Sequence, residues 1–343
     1  MWIGLAYNVK HEETGREMGK LVELDFDSWE VIEGLKKTLE RLGHTVAMVE
    51  ADEEAFDKLR NLKGKVDIVF NIAEGLHGDA REAQVPLFCE ILGLAYTHSG
   101  PTTHAVKLDK HMAKLAVKGA GVKVPEGFVV RHAEVPELPE VKMPVIVKPN
   151  AQGSSIGVFD TNVVKEKEKL AGVIKEVSKG GKWEVVVEEY IEGREFTVSL
   201  LGNDPVEVLP IIEQKFGFLP PGMNRIAGYE VKWIYETQLA DITEAYSCPA
   251  DIDRDLREEI EKTSVNIFKS LNVKDCARID FRLDERDNLY FLEINTLPGL
   301  NPDPAGPSYF VYAAFKAGMT YEQLVERILL EGCRRWGLTE KGL

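Results

Sequence analysis

The stretch from Cys276 to Pro304 places four polar side chains at a spacing suited to chemistry. It reads CARIDFRL, then NLYFLEINTLPGLNPDP, with Arg278 and Asp280 on one expected strand and Glu293 and Asn295 on the next. Residues two apart on a strand share a face. If Asp284–Asn288 closes a hairpin, all four converge. Asp280, Glu293 and Asn295 are hard oxygen donors, the set that Mg²⁺ (or Mn²⁺) prefers when it also holds phosphates. Arg278 offers fixed positive charge to an oxyanion. A solvated polar face is the ordinary alternative for a hairpin. Against it, Ile279, Phe281, Phe291 and Ile294 demand one buried face. The strands also run into Asn295-Thr-Leu-Pro-Gly299, a loop type whose N–H groups approach a ligand.

A second constellation surrounds Lys148, which ends an apolar run and precedes Pro149 and the loop Gly153-Ser154-Ser155-Ile-Gly157. A lysine beside flexible N–H groups and two hydroxyls suits a polyphosphate; a snorkelling lysine beside an ordinary turn is the alternative. Neither GxxxxGK[ST] nor GxGxxG after a strand occurs, so neither a P-loop nor a dinucleotide fold is indicated. Lys110, early in an expected helix, is a further phosphate candidate. Glu188 and Glu195 flank Tyr190-Ile-Glu-Gly and are candidates for an adenine amino group and ribose hydroxyls. His77, after the third expected strand, sits where it would orient a substrate or move a proton.

These groups need a scaffold, and the alternation of elements supplies one. Residues 2–7, 45–49 and 66–71 read as buried strands, with helices over 28–42 and 52–62 between them. That order implies a parallel sheet whose ligand edge lies in the loops after the strands, 8–27 and 72–81. A second unit begins near Gly100: a helix over 109–118, strands at 128–131, 145–149 and 185–190, and a charged helix over 163–179. A third has strands near 195–201 and 206–213, an irregular stretch 214–240, a helix over 251–271, the hairpin, and a last helix over 320–336.

The chain has 343 residues, room for two or three domains with cores. Its net charge of −15 disfavours partnership with nucleic acid or anionic lipid. No run reaches the roughly 18–20 apolar residues of a membrane span, and no leader is evident, so a cytoplasmic location is expected. Cys89, Cys248, Cys276 and Cys333 are widely spaced and read as reduced, buried thiols.

With these pieces in order, the chain resembles ATP-grasp ligases, specifically the D-alanine–D-alanine ligase family. The resemblance runs through Gly75-Leu-His-Gly, Leu108-Asp-Lys, Pro144-Val-Ile-Val-Lys-Pro, Gly153-Ser-Ser-Ile-Gly-Val, Glu188-Glu-Tyr-Ile-Glu-Gly-Arg-Glu, Ala277-Arg-Ile-Asp and Glu293-Ile-Asn-Thr-Leu-Pro-Gly. It implies an α/β ATP-grasp fold: a parallel-sheet domain on the first-substrate side (1–100), then two α+β subdomains that clamp ATP (101–190 and 191–343), the last with the metal and catalytic residues. It implies that Lys110, Lys148, Ser155, Glu188, Glu189, Ile191, Glu195 and Lys232 bind nucleotide, Lys232 from a loop that closes over the phosphates. Asp280, Glu293 and Asn295 bind Mg²⁺ on this reading. Arg278 and the Gly299 backbone stabilise a tetrahedral intermediate, while Ser154 and His77 lie near the first substrate. The implied activity is amide formation between two amino acids through an acyl phosphate, in cell-wall synthesis, by a homodimer. Four positions depart from the family pattern. Trp233 replaces an aromatic hydroxyl, and Gln152 replaces a glutamate. Pro304-Ala305 falls where a serine–leucine pair holds the second substrate's carboxylate, with Ser308 nearby. Glu23, Asp25 and Asp27 compete for the role of ammonium anchor. A ligase for another amino or hydroxy acid pair, or a nucleotide-binding regulator, are the alternatives.

Overall fold

A computed structural model describes residues 1–10, 25–131, 138–153, 155–239, 241–303, 306 and 308–338. Three sheets organise it. The first is parallel, in the order β2 (Thr45–Glu50), β1 (Trp2–Tyr7), β3 (Ile68–Asn71). The helices α1 (Trp29–Arg41), α2 (Ala55–Leu62) and α3 (Gln84–Leu92) accompany it. The strands are near-continuous apolar runs because both faces are covered: Ile3 and Leu5 pack with Ile32 and Leu35, while Ala6 and Val69 pack with Leu59 and Val85.

Two short helices, α4 (Pro101–Leu108) and α5 (Lys110–Gly119), lead into the second sheet. The junction between them is sharp because Asp109 caps α5, its carboxylate accepting from the Met112 N–H at 2.8 Å. The second sheet is antiparallel, ordered β4 (Gly127–Val130), β7 (Val185–Glu189), β5 (Val145–Pro149), β6 (Val163–Val164), with α6 (Lys167–Val177) packed on it. The third runs β11 (Tyr246–Ser247), β10 (Ile212–Gln214), β8 (Arg194–Leu201), β12 (Cys276–Leu283), β13 (Leu289–Asn295), with β9 (Glu207–Val208) beside β8. The helix α7 (Arg254–Ser270) covers it, and α8 (Tyr309–Lys316) and α9 (Tyr321–Arg335) end the described chain.

Two packings cross the units read from the sequence. Ala113 and Val117 of α5 bury against Ile279, Phe281 and Phe291 of the third sheet, carrying Lys110 to the hairpin. At the other end, Leu324 and Ile328 of α9 join the core of the first sheet. The expected charged helix from 163 begins only at Lys167, because Val163 and Val164 pair with β5. The expected strand 206–213 is divided into β9 and β10, with Pro210 between them. The stretch 214–240 is not wholly irregular: it contains a π-helical turn, Val231–Tyr235, and a 3₁₀ turn, Glu236–Gln238. The helices α3, α4 and α8 had no sequence expectation. They are short, and α3 carries buried Val85, Pro86, Cys89 and Leu92 with little polar contrast. Among the described residues no helix is long and apolar enough to cross a membrane.

Candidate active site

The hairpin forms as its alternation requires. Across β12 and β13, Arg278 pairs with Asn295 and Asp280 with Glu293. Each is further constrained. Asp280 accepts from the Thr197 hydroxyl on β8 at 2.9 Å and from Arg278 Nη2 at 3.1 Å. Asn295 Oδ1 accepts from the Leu297 N–H at 2.9 Å, which leaves one of its lone pairs for a ligand. Glu293 lies 3.6 Å from Lys110. Burial raises the Glu293 pKa, but Lys110, Lys232, Lys148 and Arg278 together outweigh it and hold the carboxyl well below its usual range. Three oxygen donors on one face thus fit a hard divalent cation. Among the described residues no cluster of three or more His, Cys, Asp or Glu forms another metal site.

The phosphate candidates converge from both clamping sheets. Lys148 on β5 is ion-paired with Glu188 on β7, and Lys114 reaches the other oxygen of Glu188 at 3.0 Å. Lys114 is one turn beyond Lys110 on α5, a spacing that puts both lysines on one face; the sequence reading passed over it. Burial raises the Glu188 pKa, yet Lys114 and Lys148 more than offset this and keep it ionised. Burial also lowers Lys110, with partial compensation from Glu293, and pushes Lys114 down to about 8. The cluster sets three lysines, Lys110, Lys114 and Lys148, against two carboxylates, Glu188 and Glu293, an excess of positive charge that suits an anion. The Lys110 ammonium donates to the Gln152 carbonyl. Ser155 donates to the Ala227 carbonyl at 2.8 Å, so its hydroxyl proton ties two loops together and only its lone pairs remain. A Cβ at Gly153 would lie 2.9 Å from the Asp25 carboxylate, which would have to shift to admit it. Ser154 lies outside the described residues.

Glu195 is buried and register-paired with Arg282, whose guanidinium meets its carboxylate at 2.7 Å. Arg282 also donates to the carbonyls of Ile191 at 3.3 Å and Gly193 at 3.4 Å. Arg282 continues the 278/280 alternation on the same face, a signal in the sequence that carries no motif of its own. Glu189, Ile191 and Ser155 line one cavity with Lys110, Lys148 and Glu195.

A second cavity of about 610 Å³ adjoins it. Arg278, Asn295, Gly299 and Ser308 line one side and Asp25, Asp27 and Glu74 another. Lys232 and Glu293 line both cavities. Ser308 reaches the Pro-Gly motif: its hydroxyl donates to the Gly299 carbonyl, and it precedes α8 as N-cap. Pro304 and Ala305 lie outside the described residues, as does Glu23. Asp25 is committed to Arg81 at 2.9 Å, with both side chains buried. Burial lifts Asp27 to about 6, against the pull of Lys10. Glu74, unforeseen, is raised by burial and by Glu82 and Asp25. His77 is exposed and lines neither cavity among the described residues; its backbone carbonyl accepts from Gln84 Nε2 at 2.8 Å.

A family profile described as D-ala D-ala ligase C-terminus matches residues 117–330. The D-alanine–D-alanine ligase of Rhizorhabdus wittichii is 32% identical over 305 residues, 87% of this chain and 89% of that protein. This chain belongs to the D-alanine–D-alanine ligase family. The ligase of Fervidobacterium nodosum is 31% identical, covering 88% and 92% of the two chains. An uncharacterised protein of Sinorhizobium fredii, y4sG, is 32% identical over 89% and 88%. In fold, crystal structures of D-alanine–D-alanine ligase from Bacillus anthracis, one complexed with ATP, align over 100% of both chains. Their TM-scores are 0.73 and 0.74, at 22% and 24% identity. The three sheets are those of an ATP-grasp ligase, and the enzyme class is that of an ATP-dependent ligase.

Proposed function

We propose that this family member joins two D-alanine molecules into D-alanyl-D-alanine, converting ATP to ADP and phosphate. One observation carries the reading: Lys232 and Glu293 line both cavities, so a phosphoryl group delivered from one meets a carboxylate in the other. The bond changes balance as follows. A carboxylate oxygen of the first substrate attacks the γ-phosphorus and ADP departs, leaving an acyl phosphate. The second substrate's amine then attacks the carbonyl carbon. The carbon–oxygen bond to phosphate breaks, and the amine's proton leaves with phosphate or to solvent.

In this scheme Lys110 and Lys148 hold the phosphates, with Glu188 fixing Lys148. Glu189, Ile191 and Glu195 line the nucleoside end. Asp280, Glu293 and Asn295 are the residues that would hold Mg²⁺, which when bound offsets charge on the transferring phosphoryl group. Arg278 and the Gly299 N–H face the oxyanion. Lys232 keeps water from the acyl phosphate, which hydrolyses readily. Homodimerisation and a cytoplasmic location belong to the same proposal, from the family resemblance. The test is ADP release that depends on D-alanine and is absent with L-alanine; release that ignores D-alanine overturns the reading. A second reading, a bulkier or cationic second substrate, draws on the size of the cavity and on Asp25, Asp27, Glu74 and Glu236 in its wall.

A further inference from the structure

Four side chains from four parts of the chain form a closed ring of polar contacts beside the larger cavity. Tyr246 of β11 donates its hydroxyl proton to the Glu236 carboxylate. Gln214 of β10 donates from Nε2 to the other Glu236 oxygen at 3.0 Å. The Tyr309 hydroxyl, on α8, lies 3.2 Å from the Tyr246 oxygen and 3.3 Å from Gln214 Oε1. Proton counting limits the directions. Tyr246 has spent its one proton on Glu236, so its oxygen can only accept, and the single Tyr309 proton goes to either Tyr246 or Gln214, so three of the four contacts are hydrogen bonds at one time. Tyr246 and Tyr309 also pack edge to face, their centroids 5.0 Å apart.

The ring of polar contacts immobilises the Tyr309 side chain, and that side chain carries two cations. The Arg278 guanidinium lies over the Tyr309 ring, 5.2 Å from its centroid, and the Lys232 ammonium is 5.9 Å away. Arg278 needs this support. Among the described residues its ion pair is with Asp280 at 3.1 Å, and its Nε has no hydrogen-bond partner. Without Tyr309, Arg278 would be tethered only to a carboxylate that the metal also needs. Glu236 lies four residues beyond Lys232, in the turn that follows the lysine's own. The ring therefore joins the segment bearing Lys232 to the arginine that faces the oxyanion.

We propose that Tyr309 is a positioning residue for Arg278, locked by Glu236, Tyr246 and Gln214, and that its contribution falls on amide formation rather than on phosphoryl transfer. The inference rests on the ligase reading above. Its chemical content is a partition. An acyl phosphate either meets the amine, with its oxyanion held by Arg278, or loses its phosphoryl group to water. A displaced arginine slows the first branch and leaves the second.

The experiment measures ADP and D-alanyl-D-alanine in the same reaction for wild type, Tyr309→Leu, Tyr309→Phe and Tyr246→Phe. Phe at 309 keeps the aromatic face and loses the hydroxyl; Phe at 246 breaks the ring without touching Arg278. Wild type should give about one ADP per dipeptide. In Tyr309→Leu the dipeptide-forming branch should slow by about 3- to 30-fold, the range spanned by cation–π contacts, and the excess of ADP over dipeptide, relative to dipeptide, should grow by the same factor. The two Phe variants should lie between. Added hydroxylamine should trap the excess as D-alanine hydroxamate. If ADP and dipeptide fall together and the ratio stays at one, Tyr309 is structural only and the inference is wrong. If wild type releases no ADP in response to D-alanine, the ligase reading fails, and the inference with it.

Discussion

Asp280 on β12 and Glu293 on β13 are register partners, and each is met by a cation: Arg278 at 3.1 Å from the first, Lys110 at 3.6 Å from the second. Two carboxylates this close repel each other unless cations balance them. A divalent ion between them would strengthen that balance. Glu293→Gln removes one charged donor, so the Mg²⁺ concentration for half-maximal ADP release should rise. The increase should be at least the roughly 10–100-fold typical of losing even an outer-shell partner of a metal site. An unchanged Mg²⁺ titration would place the metal elsewhere.

Arg278 faces the cavity in which the oxyanion would form, so its removal should act on chemistry more than on nucleotide binding. Arg278→Ala should retain ATP affinity and lose about 10²–10³ in turnover, as for one oxyanion donor. Equilibrium binding of ATP beside steady-state rates checks this. Turnover close to wild type would take the arginine out of the mechanism.

Glu188 is the counter-charge for two lysines, the buried Lys114 and the half-buried Lys148. Glu188→Gln leaves both without it, and breaking such a pair costs roughly 3–5 kcal/mol. Lys114→Met leaves Glu188 still paired with Lys148 and should cost less. Urea unfolding of the two variants should therefore rank Glu188→Gln as the less stable. The reverse order would mean that the carboxylate is not what holds the lysines.

Asp27 supplies a pH test. Burial raises its pKa from 3.8 to about 6 in the folded protein, so the folded state holds this proton more tightly than the unfolded chain does. Stability from this group is then present below about pH 4 and is lost as pH rises through about 6, by roughly 2–3 kcal/mol in all. Asp27→Asn cannot ionise. It should match wild type near pH 4 and exceed it at pH 7.5 in urea midpoint. Parallel pH profiles for the two proteins would show that Asp27 is not buried as described.

The parts of the site that follow from local spacing were legible in the sequence. The period of two put Arg278, Asp280, Glu293 and Asn295 on one face, and the register bears this out. The apolar runs 2–7 and 145–149 end as the strands β1 and β5 at the same residues. What spacing does not encode is what arrives from elsewhere. Arg282 was visible as the next residue on the catalytic face, but its role is set by Glu195 across β8. Glu236, Tyr246 and Tyr309 are unremarkable in sequence and meet only because α8 returns beside β11. His77 lies in the loop after β3, at the edge expected for a ligand, and is exposed there.

The most direct test of the acyl-phosphate account is an oxygen-transfer measurement. D-alanine labelled with ¹⁸O in both carboxylate oxygens is incubated with Mg²⁺-ATP, and phosphate and dipeptide are analysed by mass. The account predicts D-alanyl-D-alanine and one ¹⁸O in the phosphate for each dipeptide formed, because the attacking carboxylate oxygen leaves with phosphorus. Dipeptide accompanied by unlabelled phosphate would contradict it.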